Sequence, residues 1–239
     1  MTELDDFLAS TPPPGHVVFA KVWGSRSHNL QLPTSDWDFA GVYATPLRKL
    51  VGLRPPPETW ENKVEPHTVF HEIGKFAKLL LIGNPGILEM LFTDHLCVET
   101  PEWQILKAER RRFLTATAVG QYLGYANGQM KRLEKHEGQA GLHTKGGEYS
   151  EKWAYHITRL IHDALNIAQG GEPAIWIESG SQLHDTIMQI RRNEWTWQQV
   201  RDYISNLMER IAAMKPFNLP ETGDENVLND WLLKVRVVA

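Results

Sequence analysis

The sequence predicts an α+β protein, a small mixed β-sheet domain over residues 1–100 followed by an α-helical domain over residues 101–239. Two β-branched and aromatic runs lie near the N-terminus, His16 to Trp23 and Phe39 to Ala44, and a third extended stretch follows from Glu65 to Phe70. After Thr100-Pro101 the strand signals fade, and apolar residues recur at the three-and-four spacing of buried helix faces.

Residues 1–10 read as a short helix, ended by Thr11-Pro12-Pro13-Pro14-Gly15, which cannot continue one. The first strand stops at Gly24-Ser25, a turn signal, and a short helix leads into the second strand. Pro46 to Leu50 is a brief helix, and Leu53-Arg54-Pro55-Pro56-Pro57 a connecting loop. Ile73, Phe76, Ala77, Leu80 and Leu81 mark one face of the helix after the third strand. Gly83 stops that helix, and Asn84 as N-cap with Pro85 at the first helical position starts the next. In that helix Glu89 stands among apolar residues, so it is either packed against a partner or facing a site.

Candidate helices then cover 101–113, 115–135, 148–169, 182–193 and 196–214. Between them, His136 to Gly147 carries four glycines and is expected to be a mobile loop. Pro216 ends the last strong helix, and the tail Trp231 to Val238 fits a terminal helix or an added strand equally well.

Hydrophobic residues make up 42% and charged residues 23%, an ordinary globular balance. No apolar run approaches the roughly 18 residues of a membrane span, and the first residues are acidic where a signal peptide is basic. The expectation is a cytoplasmic protein with no membrane partner, and the single Cys97, which has no partner for an internal disulfide, agrees with a reducing compartment. With 25 basic against 29 acidic side chains, the surface as a whole does not suit a polyanion, and nucleic acid would need a local patch. Of the nine tryptophans, Trp23 and Trp37 adjoin the candidate site, and most of the others are expected to pack.

That candidate site is the stretch from Gly24 to Tyr43. In an extended chain Asp36 and Asp38 point to one face and Trp37 to the other. Two carboxylates so close repel unless a cation lies between them, which is the layout of a hard divalent site, Mg²⁺ before Mn²⁺, bridging to phosphate. In the second half, Lys152, His156 and Arg159 at i, i+4 and i+7 form one stripe beside an apolar helix face.

Gly24-Ser25 followed after a short spacer by Asp36-Trp37-Asp38 at the start of a strand resembles the DNA polymerase β-type nucleotidyltransferase superfamily. Gly24-Ser25-Arg26, Ser35 to Asp38, Gly41-Val42-Tyr43, Gly83-Asn84-Pro85 with Glu89, Lys152 to Leu160 and Leu183 to Trp195 resemble its minimal branch with a helical C-terminal half. The resemblance implies transfer of a nucleoside monophosphate from a nucleoside triphosphate to an acceptor hydroxyl of RNA, protein or a small molecule, with release of pyrophosphate. It implies metal held by Asp36 and Asp38, phosphates cradled by Gly24, Ser25 and Arg26, and Lys152, His156 and Arg159 gripping the triphosphate from across a cleft between the two domains.

The family's third carboxylate falls where this chain has His67. Histidine is a poor Mg²⁺ ligand, although a neutral imidazole accepts a proton. Glu65, two residues earlier, is the candidate replacement ligand, with Glu72 a weaker one and Pro66 disturbing the strand between Glu65 and His67. The alternative function is therefore a nucleotidyltransferase-like protein that binds a nucleotide or partner without turnover. The base, the acceptor and the oligomeric state are not specified by these motifs.

Overall fold

In the computed structural model, which describes residues 3–10, 12–64, 66–135 and 149–238, the expected helix and strand runs open the chain as α1 (Glu3–Ser10) and β1 (His16–Trp23). A 3₁₀ turn, Gly24–His28, leads toward β2 (Asp38–Ala44), followed by the one-turn α2 (Leu47–Leu50). Next come β3 (Thr59–Asn62), β4 (Thr68–Glu72), α3 (Ile73–Leu81), α4 (Pro85–Leu91), β5 (Cys97–Glu99) and α5 (Pro101–Ala108). The remaining helices are α6 (Ala116–Lys135), α7 (Glu151–Ala168), α8 (Gln182–Arg191), α9 (Trp197–Ala213) and α10 (Glu225–Val238). The fold is mixed α+β with a helical C-terminal half, as the patterning predicts.

The chain divides into two compact units. One consists of Met1–Phe113 with Gly223–Ala239, the other of Leu114–Thr222. The first holds the sheet, in the order β3-β4-β2-β1-β5. Strand β2 pairs antiparallel with β1, Trp23 opposite Asp38, and parallel with β4, Phe39 opposite Thr68. Alternation puts Ala20, Val22, Phe39, Tyr43 and Phe70 on one face, where Leu4 and Phe7 of α1 cover them and Phe7 stacks on Phe39 at 4.6 Å. On the opposite face Phe19 stacks on Trp103 at 4.2 Å, and Phe76 and Trp231 close the cluster.

The tail resolves as a helix because it has both an apolar seat and a polar lock. Trp231 is buried and donates its indole N–H to the carbonyl of Glu102 at 2.8 Å. Arg236 pairs with the carboxylate of Glu72 and donates to the Thr45 carbonyl at 3.0 Å. Glu72 in turn caps α3 by accepting from Gly74 N–H at 2.7 Å. Glu72 thus ends β4 opposite Tyr43, at the other end of the strand from Thr68, with its carboxylate committed to a cap and an arginine rather than to the expected metal edge.

In the second unit α7 is the central helix, packed against α6, α8 and α9. The Asn84 cap and Pro85 start of α4 hold as expected, with Asn84 Oδ1 accepting from Ile87 N–H at 3.3 Å. Two strand boundaries differ from expectation. Strand β2 begins at Asp38, so alternation does not govern Asp36. Strand β4 begins at Thr68 rather than Glu65, because Pro66 has no N–H for a ladder and its carbonyl accepts from the Thr68 hydroxyl at 3.0 Å. Glu65 and the expected loop from His136 to Gly147 lie outside the described residues. Among the described residues no helix is long and apolar enough to cross a membrane.

Gly41 has no room for a side chain, since a Cβ there would come within 2.3 Å of the Phe19 carbonyl oxygen and 2.4 Å of the Phe70 ring. Gly41→Ala is expected to destabilise the fold by about 1–3 kcal/mol, the usual cost of overpacking, read as a lower urea midpoint at unchanged slope. A second prediction concerns acid. Burial, and then Lys75, push His71 down to about 4, while burial and then Arg210 push His162, hydrogen-bonded to Tyr203, down to about 4. The unfolded chain binds protons at these sites below about pH 6.5, whereas the folded chain does not until near pH 4. Their contribution is therefore fully present above pH 6.5 and is lost as pH falls toward 4. Thermal melts from pH 7.5 to 4.5 should show the loss, and His162→Gln should flatten it.

Candidate functional site

The pairing of β2 brings the ends of β1, β2, β3 and β4 to one edge of the sheet. Trp23 ends β1 opposite Asp38, and Gly24 follows at φ 71°, a left-handed value suited to glycine. A Cβ on Gly24 would lie 3.1 Å from Asp38 Oδ2, so the absence of a side chain also keeps the carboxylate's surroundings open. The turn then closes on itself: Ser27 Oγ donates to the Gly24 carbonyl at 2.8 Å, and Leu30 N–H to the Ser25 carbonyl at 2.9 Å.

Arg26 ties this turn to the aspartate segment. Its Nη2 donates to the Ser35 carbonyl at 2.7 Å and its Nε to the Asp36 carbonyl at 3.1 Å, while the guanidinium lies 4.2 Å from the centre of the Trp37 ring. Ser25 Oγ donates to Ser35 Oγ at 3.3 Å, and Ser35 Oγ accepts from Leu32 N–H at 2.9 Å. The segment before β2 is therefore held by the turn through its main chain, which leaves the exposed Asp36 carboxylate to solvent.

On the other side of Asp38, the His67 carbonyl accepts from Phe39 N–H at 2.9 Å, and this first parallel bond sets the ring's place. His67 Nδ1 is 3.7 Å from Asp38 Oδ1, with the histidine side chain 59% exposed and the aspartate 27%. Both line a pocket of about 440 Å³ with Trp23, Glu61, Asn62 and Lys63. The last three come from β3 and the residue after it, a strand missing from the expectation. Its signal was weak, since Thr59 and Trp60 favour a strand but Glu61 and Asn62 do not, and the run is only four residues long.

Glu89 resolves as a packed residue, 2% exposed, with Oε2 3.8 Å from His28 Nε2. The stripe on α7 belongs to the second unit. There Arg159 donates to the equally buried Asp163 at 3.1 Å, and Asp163 also accepts from Ala174 N–H at 2.8 Å. Burial, then Arg159, then Lys152 push His156 down to about 3, so it is neutral at physiological pH, and Lys152 is the exposed cation of the three.

Among the described residues no three His, Cys, Asp or Glu side chains converge as a complete metal site. The chemistry of the edge still suits a hard divalent ion. It offers two carboxylates one residue apart and a cradle that a Cβ at Gly24 would crowd, and Mg²⁺ commonly takes one or two carboxylates with its remaining ligands from phosphate and water.

No curated protein matches the chain. A family model described as the RNA repair pathway DNA polymerase beta family matches residues 1–221. That span contains the turn, both aspartates, His67, the pocket and all of the second unit but its last residue, Thr222. Polymerase β-type nucleotidyltransferases are in general divalent-metal dependent, in keeping with the carboxylate edge. The chain belongs to the RNA repair pathway DNA polymerase beta family and is a polymerase β-like nucleotidyltransferase-related protein.

Proposed function

We propose that the chain transfers a nucleoside monophosphate from a nucleoside triphosphate to an acceptor hydroxyl, with release of pyrophosphate. The observation that carries this reading is the position of Asp38, between the Gly24–His28 turn on β1 and His67 before β4, at the wall of the edge pocket. Asp36 and Asp38 would hold Mg²⁺, with Mn²⁺ as the nearest substitute. The bound ion supplies positive charge to the phosphate oxygens.

The Ser25 hydroxyl and the turn's N–H groups take the β- and γ-phosphates, and Arg26 acts by holding the Asp36 main chain in place. On the second unit, Lys152 is the exposed cation of the α7 stripe, with His156 and Arg159 shaping its helix face. In the chemical step the acceptor oxygen bonds to the α-phosphorus while the bond from that phosphorus to the bridging oxygen breaks. The hydroxyl proton passes to His67, and the bridging electron pair leaves with pyrophosphate. The family's description makes an RNA hydroxyl the first acceptor to test.

One observation favours a second reading. Histidine in place of a carboxylate weakens the metal set, and nucleotide binding without turnover would follow.

Titration of the four ribonucleoside triphosphates with Mg²⁺ and then Mn²⁺, with pyrophosphate release followed on an RNA oligonucleotide bearing a 3′-hydroxyl, tests both. Metal-dependent binding with release supports transfer. Binding without release supports the second reading. Asp36→Asn/Asp38→Asn should lower turnover by on the order of 10²–10³ or more, the scale seen when charge stabilisation is removed. His67→Ala should lower it by on the order of 10²–10⁴, as for loss of a general base, and His67→Asp should restore metal-dependent turnover.

A further inference from the structure

The turn that carries Ser25 has a polar backing that no step above uses. In a seven-residue helix whose other buried side chains are apolar, α4 carries one charged residue, Glu89, against the buried His28 that ends the turn. Neither residue lines the pocket. Thr93, just beyond α4, donates its hydroxyl to the Glu89 carbonyl at 2.9 Å and accepts from Lys21 Nζ at 2.9 Å. Lys21 is fully buried on β1, two residues before Trp23. Gly86 of α4 receives the Trp23 ring, for a Cβ there would come 3.2 Å from Cη2. Helix α4 and Thr93, two residues past its end, thus reach β1 just ahead of the turn and the turn's last residue.

We propose that Glu89 and His28 are a positioning pair that fixes the phosphate-binding turn from behind. The kinetic part of this proposal rests on the reading under Proposed function. The turn spans only five residues, Gly24–His28, so holding its last residue limits the freedom of the main chain that carries Ser25. Asn29, which follows at φ 59°, closes the turn in the left-handed C-cap conformation that asparagine tolerates. Taking charged groups out of water is costly, and well-packed apolar residues often serve stability as well or better. Retention of a polar pair at this depth therefore points to placement of the turn rather than to stability.

The test is His28→Leu/Glu89→Leu, which keeps the volume apolar and removes the link, with Glu89→Gln as the conservative control. Amide hydrogen exchange is read over residues 24–30, with urea unfolding as the global reference. The double variant is expected to unfold at or above the wild-type midpoint, yet to exchange in the turn about tenfold faster, through local opening. Its kcat/KM for nucleoside triphosphate should fall by about 10–100-fold, the scale of a misplaced binding group. Glu89→Gln, which keeps the side chain's length and a polar oxygen facing His28, should restore both readouts.

Wild-type exchange in the turn with unchanged kcat and KM would overturn the proposal. If the double variant does not fold, His28→Asn, too short to reach Glu89, decides the matter: faster exchange confined to the turn supports the pair, and unchanged exchange refutes it. Faster exchange in a protein whose wild type turns over no nucleotide would uphold the positioning role and reject the transfer reading.

Discussion

Strand β2 is hydrogen-bonded on both sides, antiparallel to β1 and parallel to β4, and the candidate site depends on that double pairing. The antiparallel side sets Trp23 opposite Asp38, and the parallel side sets Phe39 opposite Thr68, which leaves His67 beside the carboxylate. A slip of one residue in either ladder would turn Asp38 to the face covered by α1 and bring an apolar neighbour to the edge. The register is protected by the packing on that face, where Phe7 stacks on Phe39 and Phe70 fills the space left by Gly41. The core on one side of the sheet thus specifies the chemistry at its end.

Charge placement follows from the same geometry. Asp36 and Asp38 lie where solvent and a counter-ion can reach them, so their mutual repulsion is screened. Arg26 contributes its hydrogen bonds to main-chain carbonyls, a use that orders the segment without consuming either carboxylate. Deeper groups are bonded one to another: Lys21 to Thr93, Glu72 to Arg236 and Arg159 to Asp163. Breaking one partner of such a pair leaves a stranded buried charge, which is far worse than removing both.

Much of this was legible in the sequence because it is local. Strand β1 coincides with the β-branched run His16–Trp23, the Gly24 turn and the Asn84-Pro85 helix start are where turn and cap chemistry place them, and Asp38 opens β2. Strands β3 and β5 were missed because four and three residues carry little periodicity, and their pairing partners lie several residues or more away in sequence. The partner of Glu89 was not legible either, since His28 is distant in sequence and nothing in the α4 run names it. The same holds for Glu72, which reads as a spare ligand until Arg236, far along the chain, is seen to hold it.

The two sides of Asp38 are built differently, and the difference has a physical sense. On the β1 side the turn is held by Arg26, by its own internal hydrogen bonds and by the buried layer beneath it. On the β4 side the wall is open, with His67 largely exposed and Glu61 and Lys63 exposed at the end of a short edge strand. In the proposed reaction the turn would take a triphosphate, which is chemically the same whichever base it carries, so a fixed set of donors would serve it, and rigidity there would lower the cost of ordering the donors on binding. Under the proposed transfer reaction, an acceptor varies in shape and must arrive and leave, which suits adaptable side chains around a pocket. In that reading His67 would belong to the adaptable side, where accepting a proton from an incoming hydroxyl asks for reach more than for the fixed coordination geometry of a third metal ligand.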